Sequence, residues 1–277
     1  MNLIEQNVQN ITQTDFSYEG IMKFVERVGR ICTNSYHRIT EDSWIGFDEM
    51  LRKNEHYSVF GHATAYFKIP MDNKKAVYTI QYLSNSYHGR IMYYASKKNN
   101  YLLCVSSVRC LEETKHSDSM STKTPTWNIL EKYLVDPNKE ELFKDWFPKR
   151  QSLLCSTAIS VTRELNRHEW NLDIMEQSTR YVIVGDVSKK ARWDSYSDEV
   201  QIEFTKAYED AFLHYNNLLD LKVKREDARG VLPLDTATQV IYTAFNYQWE
   251  DVIAKRTTSG VHPDCRKVVE IARKELK

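Results

Sequence analysis

The hydrophobic pattern changes its period along the chain, and this change limits the fold more than any other feature of the sequence. Residues 19–32 place Ile21, Phe24, Val25, Val28 and Ile31 close to i, i+3, i+4, i+7 spacing, which predicts an amphipathic helix. Thr40 and Ser43 precede a second stripe, Trp44, Phe47, Met50 and Leu51, whose start carries acidic residues suited to a helix N-terminus. The period then falls to two: beyond His62, Ala63, Ala65, Phe67 and Ile69 share one face of a predicted strand. A period near two returns over 156–166, and YVIVGDV at 181–187 reads as a short β-branched strand. The last third reads as helix over 198–219, 235–255 and 262–276, the final helix opened by Pro263. This mixture predicts the α+β class, with an antiparallel or mixed sheet packed by helices.

Between these segments, 127–146 holds two short helical patterns split by Pro137, and KHSDSMSTKTPT at 115–126 predicts a solvated loop. Tyr78, Tyr82, Tyr87, Tyr93, Tyr94 and Tyr101 form either core or a stacking surface, with core the expectation. No repeat or linker stands out, so 1–277 reads as a single domain with an embedded insertion at about 70–155.

Charge and composition remove several classes of function. The 38 Lys and Arg balance 38 Asp and Glu, so there is no overall basic field for wrapping a duplex, and no nucleic-acid partner is expected. No apolar run approaches the roughly 18–20 residues of a membrane span, and MNLIEQNVQN lacks a secretory pattern. A soluble, cytoplasmic protein is expected. The five cysteines are odd in number and form no C-x-x-C, which argues against a disulfide framework or a zinc site and for buried thiols. The eight glycines form neither G-x-x-x-x-G-K nor G-x-G-x-x-G, so the common phosphate-cradling loops are missing.

The densest polar stretch is NRHEWNLDIMEQSTRY, 166–181, between two strand candidates. It is either an exposed loop with weak surface ion pairs or, given the interleaved Trp170, Leu172, Ile174, Met175 and Tyr181, a packed loop holding fixed charges. In the second case its arginines and serine suit an anion such as a phosphomonoester. RHEWN is not H-E-x-x-H, and His56 and His62 in HYSVFGH do not share a helix face, so no metal site is expected. Those histidines read either as neighbours of a ring-shaped ligand or as core residues. Arg229 in DARGVLPLDTAT lies at a turn, and Arg256 ends a helix, where dipole pairing is the default role.

Taken in order, these segments resemble the flavin-dependent thymidylate synthase family. GRICTNS (29–35) and EHYSVFGH (55–62) are similar to its R-x-C-Y-x-S and G-H-x-S-x-x-E-H. ELNRHEWNLDIMEQSTRY (164–181) is similar to E/Q-L-x-R-H-R followed by E-x-S-x-R-Y, and ARGVLP (228–233) to A-R-x-V-L-P. TAFNYQW (243–249) with Arg256 echoes T-A-N-x-R-x-W and the arginine after it. The resemblance covers roughly 19–69 and 156–277. It implies a homotetramer with active sites at subunit interfaces that binds FAD beside dUMP or a related pyrimidine nucleotide. It further implies NADPH as reductant, methylenetetrahydrofolate as carbon donor, and C5 methylation in dTMP biosynthesis. By matching positions, Ser178, Arg180 and Arg229 hold the phosphate, Glu164 and Arg167 lie along the nucleotide, and Glu176 orders the loop on the nucleotide and flavin side. Arg256 is the catalytic candidate, set against the uracil edge. His56, Ser58, His168, Glu169 and Asn246 are the cofactor-binding candidates.

The departures fall mostly on the flavin and folate side. Glu169 stands where R-H-R ends in Arg, Gly61 where S-x-x-E-H has Glu, and Phe245 and Tyr247 where T-A-N-x-R-x-W has Asn and Arg, with Asn246 one residue away. The 168–176 stretch is one residue longer than the pattern. Two alternatives stay open beside thymidylate synthesis: altered one-carbon chemistry such as hydroxymethylation, and a nucleotide-binding protein without flavin chemistry.

Overall fold

The computed structural model describes residues 2–119 and 122–277, with the backbone alone for 115–119 and 122–125. Strands β1 (Asn2–Ile4) and β2 (Asn7–Asn10) lead to helices α1 (Tyr18–Cys32) and α2 (Ser43–Lys53), both where the apolar stripes predict them. Ser17 caps α1, its Oγ accepting the Gly20 N–H at 3.1 Å, and Ile21, Val25, Val28 and Ile31 are buried along one face. A Cβ on Gly29 would stand 2.6 Å from the Phe47 ring, so the bare backbone there is what lets α1 and α2 meet. Strand β3 (Thr64–Pro70) follows the predicted alternation.

Helix α3 (Lys74–Ser86) and strands β4 (Ile91–Ser96) and β5 (Tyr101–Ser107) come next, and an antiparallel sheet forms in the order β3-β5-β4. Ile80, Leu83, Leu102, Cys104 and Leu111 from this stretch share one core cluster with Ile21 and Val25 of α1. Tyr78, Tyr82, Tyr93 and Tyr94 are exposed rather than core, because α3 turns one side to solvent and the middle of the edge strand β4 is open on both faces. Beyond α4 (Val108–Glu113), the stretch predicted as a loop forms a hairpin of β6 (Lys115–Ser119) and β7 (Thr122–Pro125); its Met120 and Ser121 lie outside the described residues. Of the two helical patterns around Pro137, α5 (Trp127–Leu130) is one turn and the other is a 3-10 turn at Glu141–Phe143.

The second half contains β8 (Arg150–Ala158), α6 (Ile159–Leu165), β9 (Asp173–Glu176), β10 (Asp186–Ser188), α7 (Asp198–Asp220), α8 (Arg225–Ala228), β11 (Ala237–Phe245), α9 (Asn246–Arg256) and α10 (Pro263–Glu275). An antiparallel sheet runs β2-β8-β11-β9, while β1 pairs with β10 in parallel. One sheet face sends Ile241 and Met175 toward α1; the other sends Val240, Tyr242 and Leu153 toward α9 and α10.

Three further expectations need correction. The predicted strand at 156–166 lies mainly earlier: β8 starts at the buried polar Arg150, Gln151 and Ser152, and the chain is already helical from Ile159. The predicted helix at 235–255 is a strand followed by a helix. β11 is buried on both faces, so it lacks alternation and reads as a continuous apolar run. Of YVIVGDV only Asp186 and Val187 are in a strand, and Tyr181 and Ile183 stand exposed. Helices 198–219 and 262–276 form essentially as expected. No helix among the described residues is long and apolar enough to cross a membrane.

Candidate active site

Helix α6, the end of β9 and the loop before β11 enclose a cavity of about 670 Å³, lined by Arg163, Glu176, Ser178, Thr179, Arg229 and neighbouring residues. Local bonding fixes each wall. The first turn of α6 is tied to the loop by Ile159 N–H to the Thr236 carbonyl at 3.1 Å and Ser160 N–H to the Leu234 carbonyl at 2.9 Å. Glu176 pairs with Val240 in the sheet, and beyond it Gln177 N–H donates to the Gln239 carbonyl at 2.7 Å. Ser178 N–H donates to the Cys32 carbonyl at the end of α1, at 2.9 Å. Glu176 accepts from the Thr162 hydroxyl at 2.9 Å, and burial pushes its carboxyl up toward the neutral form. Arg229 donates to the Glu226 carbonyl at 3.1 Å and to the Thr179 hydroxyl at 3.0 Å.

Thus the cavity unites three of the six nucleotide-side candidates, Glu176, Ser178 and Arg229. Arg180 is outside its lining, 3.3 Å from the Glu226 carboxylate and 5.7 Å over the Tyr181 ring. Arg167 is exposed and apart from the lining. Glu164 belongs to a second cluster: Arg256 donates to the Glu164 carbonyl at 2.8 Å and stands 3.5 Å from its carboxylate. The Nε–H of Arg256 donates to His168 Nε2 at 2.8 Å. Burial, reinforced by the Arg256 charge, pushes the His168 pKa down, so the imidazole stays neutral and accepts.

The remaining cofactor-side candidates are dispersed. Ser58 and Glu169 line a cavity of about 290 Å³ with Arg90, Arg109, Trp170 and Asp173. His56 is exposed outside that lining, and the Asn246 side chain accepts from Gln151 at 2.8 Å beside another cavity, of about 390 Å³. Beneath Ser58 lies a buried polar network. Asp173 accepts from Arg150 at 2.6 Å and from Arg90 at 2.9 Å, and Arg150 also donates to the Gly61 carbonyl at 2.9 Å. His62 is a core residue: its Nδ1 is 2.8 Å from the Thr243 hydroxyl, and burial pushes its pKa down to about 4. Among the described residues no group of three His, Cys, Asp or Glu is arranged to hold a metal ion.

Sequence reasoning passed over Arg163, although it directly precedes Glu164, because the motif begins one residue later. Arg90, Arg109 and Arg150 lie in the stretch that motif reasoning did not reach, and only contact across the fold brings them to Asp173 or the cavity above it.

Fold and cavity together define an α+β protein with an arginine-lined pocket suited to an anion. Residues 151–277 match the family described as thymidylate synthase complementing protein. A solved structure of a UMP/dUMP methylase, PolB from Streptomyces cacaoi, bound with 5-Br dUMP, is similar at 17% identity. That alignment covers 99% of this chain and 91% of the other, with a TM-score of 0.45. No curated protein matches.

Proposed function

We propose that this chain binds dUMP or a closely related pyrimidine nucleotide in the 670 Å³ cavity and directs a one-carbon transfer to C5 of the uracil. The observation that carries the reading is the convergence of Glu176, Ser178 and Arg229 on one cavity within the family-matching stretch. In this reading Arg229 and Ser178 hold the phosphate, while burial pushes the pKa of the Glu176 carboxyl up and so eases its repulsion of the anion. Arg256 stabilises negative charge developing on the uracil ring. It bonds to Glu164, which lies on a different face of α6 from Ile159 and Arg163, so it serves the cavity of another copy in the homotetramer that the motifs imply.

FAD is the redox cofactor of this reading, with NADPH as reductant and methylenetetrahydrofolate as carbon donor. Within one chain the candidate residues do not fit a flavin dinucleotide. They occupy separate places, and the cavity beside Ser58 and Glu169, about 290 Å³, is just below the roughly 300–1,000 Å³ range of small-molecule sites. That dispersal favours one second reading, a nucleotide-binding protein without flavin chemistry.

Two measurements on the purified protein decide between them. Flavin absorbance retained after adding FAD and desalting, with dUMP gaining a methyl group by mass, supports the enzyme reading; a hydroxymethyl product moves it to altered one-carbon chemistry. Tight dUMP binding with no flavin retained and no product establishes the second reading.

A further inference from the structure

Arg163 lines the nucleotide cavity without a role in any motif. It is exposed on α6, where its side chain makes no hydrogen bond or ion pair among the described residues and its charge acts on the Glu176 carboxyl. On the opposite wall Arg229 also has no carboxylate partner, since its bonds go to a carbonyl and a hydroxyl and use two of its five N–H groups. Of the other candidate arginines, Arg180 faces the Glu226 carboxylate, Arg256 faces Glu164, and Arg167 lies apart from the lining. Two guanidinium groups against a single carboxyl, Glu176, leave the lining with an excess of positive charge, which an anion satisfies. Burial pushes the pKa of that carboxyl up, and the Arg163 charge is among the contacts that oppose the shift.

We propose that Arg163 and Arg229 form a two-arginine clamp on the terminal phosphate, with the Ser178 hydroxyl as a third donor. The cavity therefore takes a phosphomonoester dianion in preference to a free nucleoside. The proposal deepens the nucleotide reading above and rests on it for the identity of the base. It also makes Arg163, instead of Arg180, the second phosphate-binding arginine of the folded chain.

Calorimetric titration of full-length wild type, Arg163→Ala, Arg163→Lys and Arg180→Ala with dUMP, deoxyuridine and inorganic phosphate tests it. Arg163→Ala is expected to weaken dUMP binding by about tenfold to a hundredfold, as for a lost charge-assisted contact, and to leave deoxyuridine unchanged. Arg163→Lys recovers part of the affinity, because an ammonium keeps the charge and loses the fork. Unchanged thermal melting controls for folding, since the Arg163 side chain holds nothing else in place. Weaker dUMP binding in Arg180→Ala, with none lost in Arg163→Ala, overturns the clamp and leaves the nucleotide reading standing. If wild type ignores dUMP yet binds phosphate through Arg163, the nucleotide reading falls and the clamp stands; if it binds neither, both fall.

Discussion

At Gly61 the backbone passes so close to Asp173 that an added Cβ would lie 2.8 Å from a carboxylate oxygen. Asp173 cannot step aside freely, because Arg150 and Arg90 grip its two oxygens. The motif that this stretch resembles has a glutamate where Gly61 stands; here the carboxylate beside Arg150 is Asp173 of β9, and we propose that it stands in for that glutamate. A double-mutant cycle tests this exchange. Asp173→Ala leaves the buried Arg150 without its counter-ion and is expected to cost about 3–5 kcal/mol. Gly61→Glu forces a second carboxyl against the first and is expected to cost about 1–3 kcal/mol. In urea denaturation the double variant is expected to be more stable than the sum of the singles by at least about 1 kcal/mol, since the introduced glutamate then has room and a partner; simple additivity rejects the exchange. Asp173 was visible in the sequence as part of a polar stretch, but its partners were not, because Arg90 and Arg150 reach it from distant positions.

Where α1 and α2 pack, three carboxyls crowd two arginines. Arg30 pairs with Glu26 at 2.7 Å and Arg52 with Glu112 at 2.9 Å, while both oxygens of Asp48 are buried without a hydrogen-bond partner. Burial, only partly opposed by Arg52, pushes the Asp48 pKa up to about 7. A carboxyl raised in the folded state binds more protons there than in the unfolded chain between about pH 4 and 7. Its contribution is therefore fully present below about pH 4 and is lost as pH rises to about 7. Asp48→Asn removes this dependence, so the variant is expected to gain on wild type by about 2–4 kcal/mol from pH 4 to pH 8, followed by denaturation across pH. An unchanging gap rejects a buried neutral Asp48. Both helices were legible because each has one buried face and one wet face. β11 was not, since a strand covered on both sides carries no alternation; β8 was hidden because its first three residues are polar and buried in pairing and bonding that no local pattern announces.

For the molecule as a whole, the cavity and the Arg256 cluster are on different faces of α6. If Arg256 serves a neighbouring copy, Arg229→Ala and Arg256→Ala are each inactive alone, yet refolded together at equal amounts they are expected to recover about a quarter of wild-type activity, the random-mixing fraction for a site drawing on two chains. Recovery of none places both residues in one chain's site. The resemblance alone indicated shared sites, whereas the structure places Arg256 with Glu164 and His168, outside the residues that line the cavity. The sheet order adds a further consequence. β9, which leads into Glu176 and Ser178, is an edge strand with sheet neighbours on one side only. Edges are where a sheet opens first, so the amides of 173–179 are expected to exchange with deuterium faster than those of β11. A nucleotide gripped by Ser178 and Arg229 fastens that edge, and dUMP should slow the exchange there while β11 stays unchanged: the ligand acts as the partner strand the edge lacks.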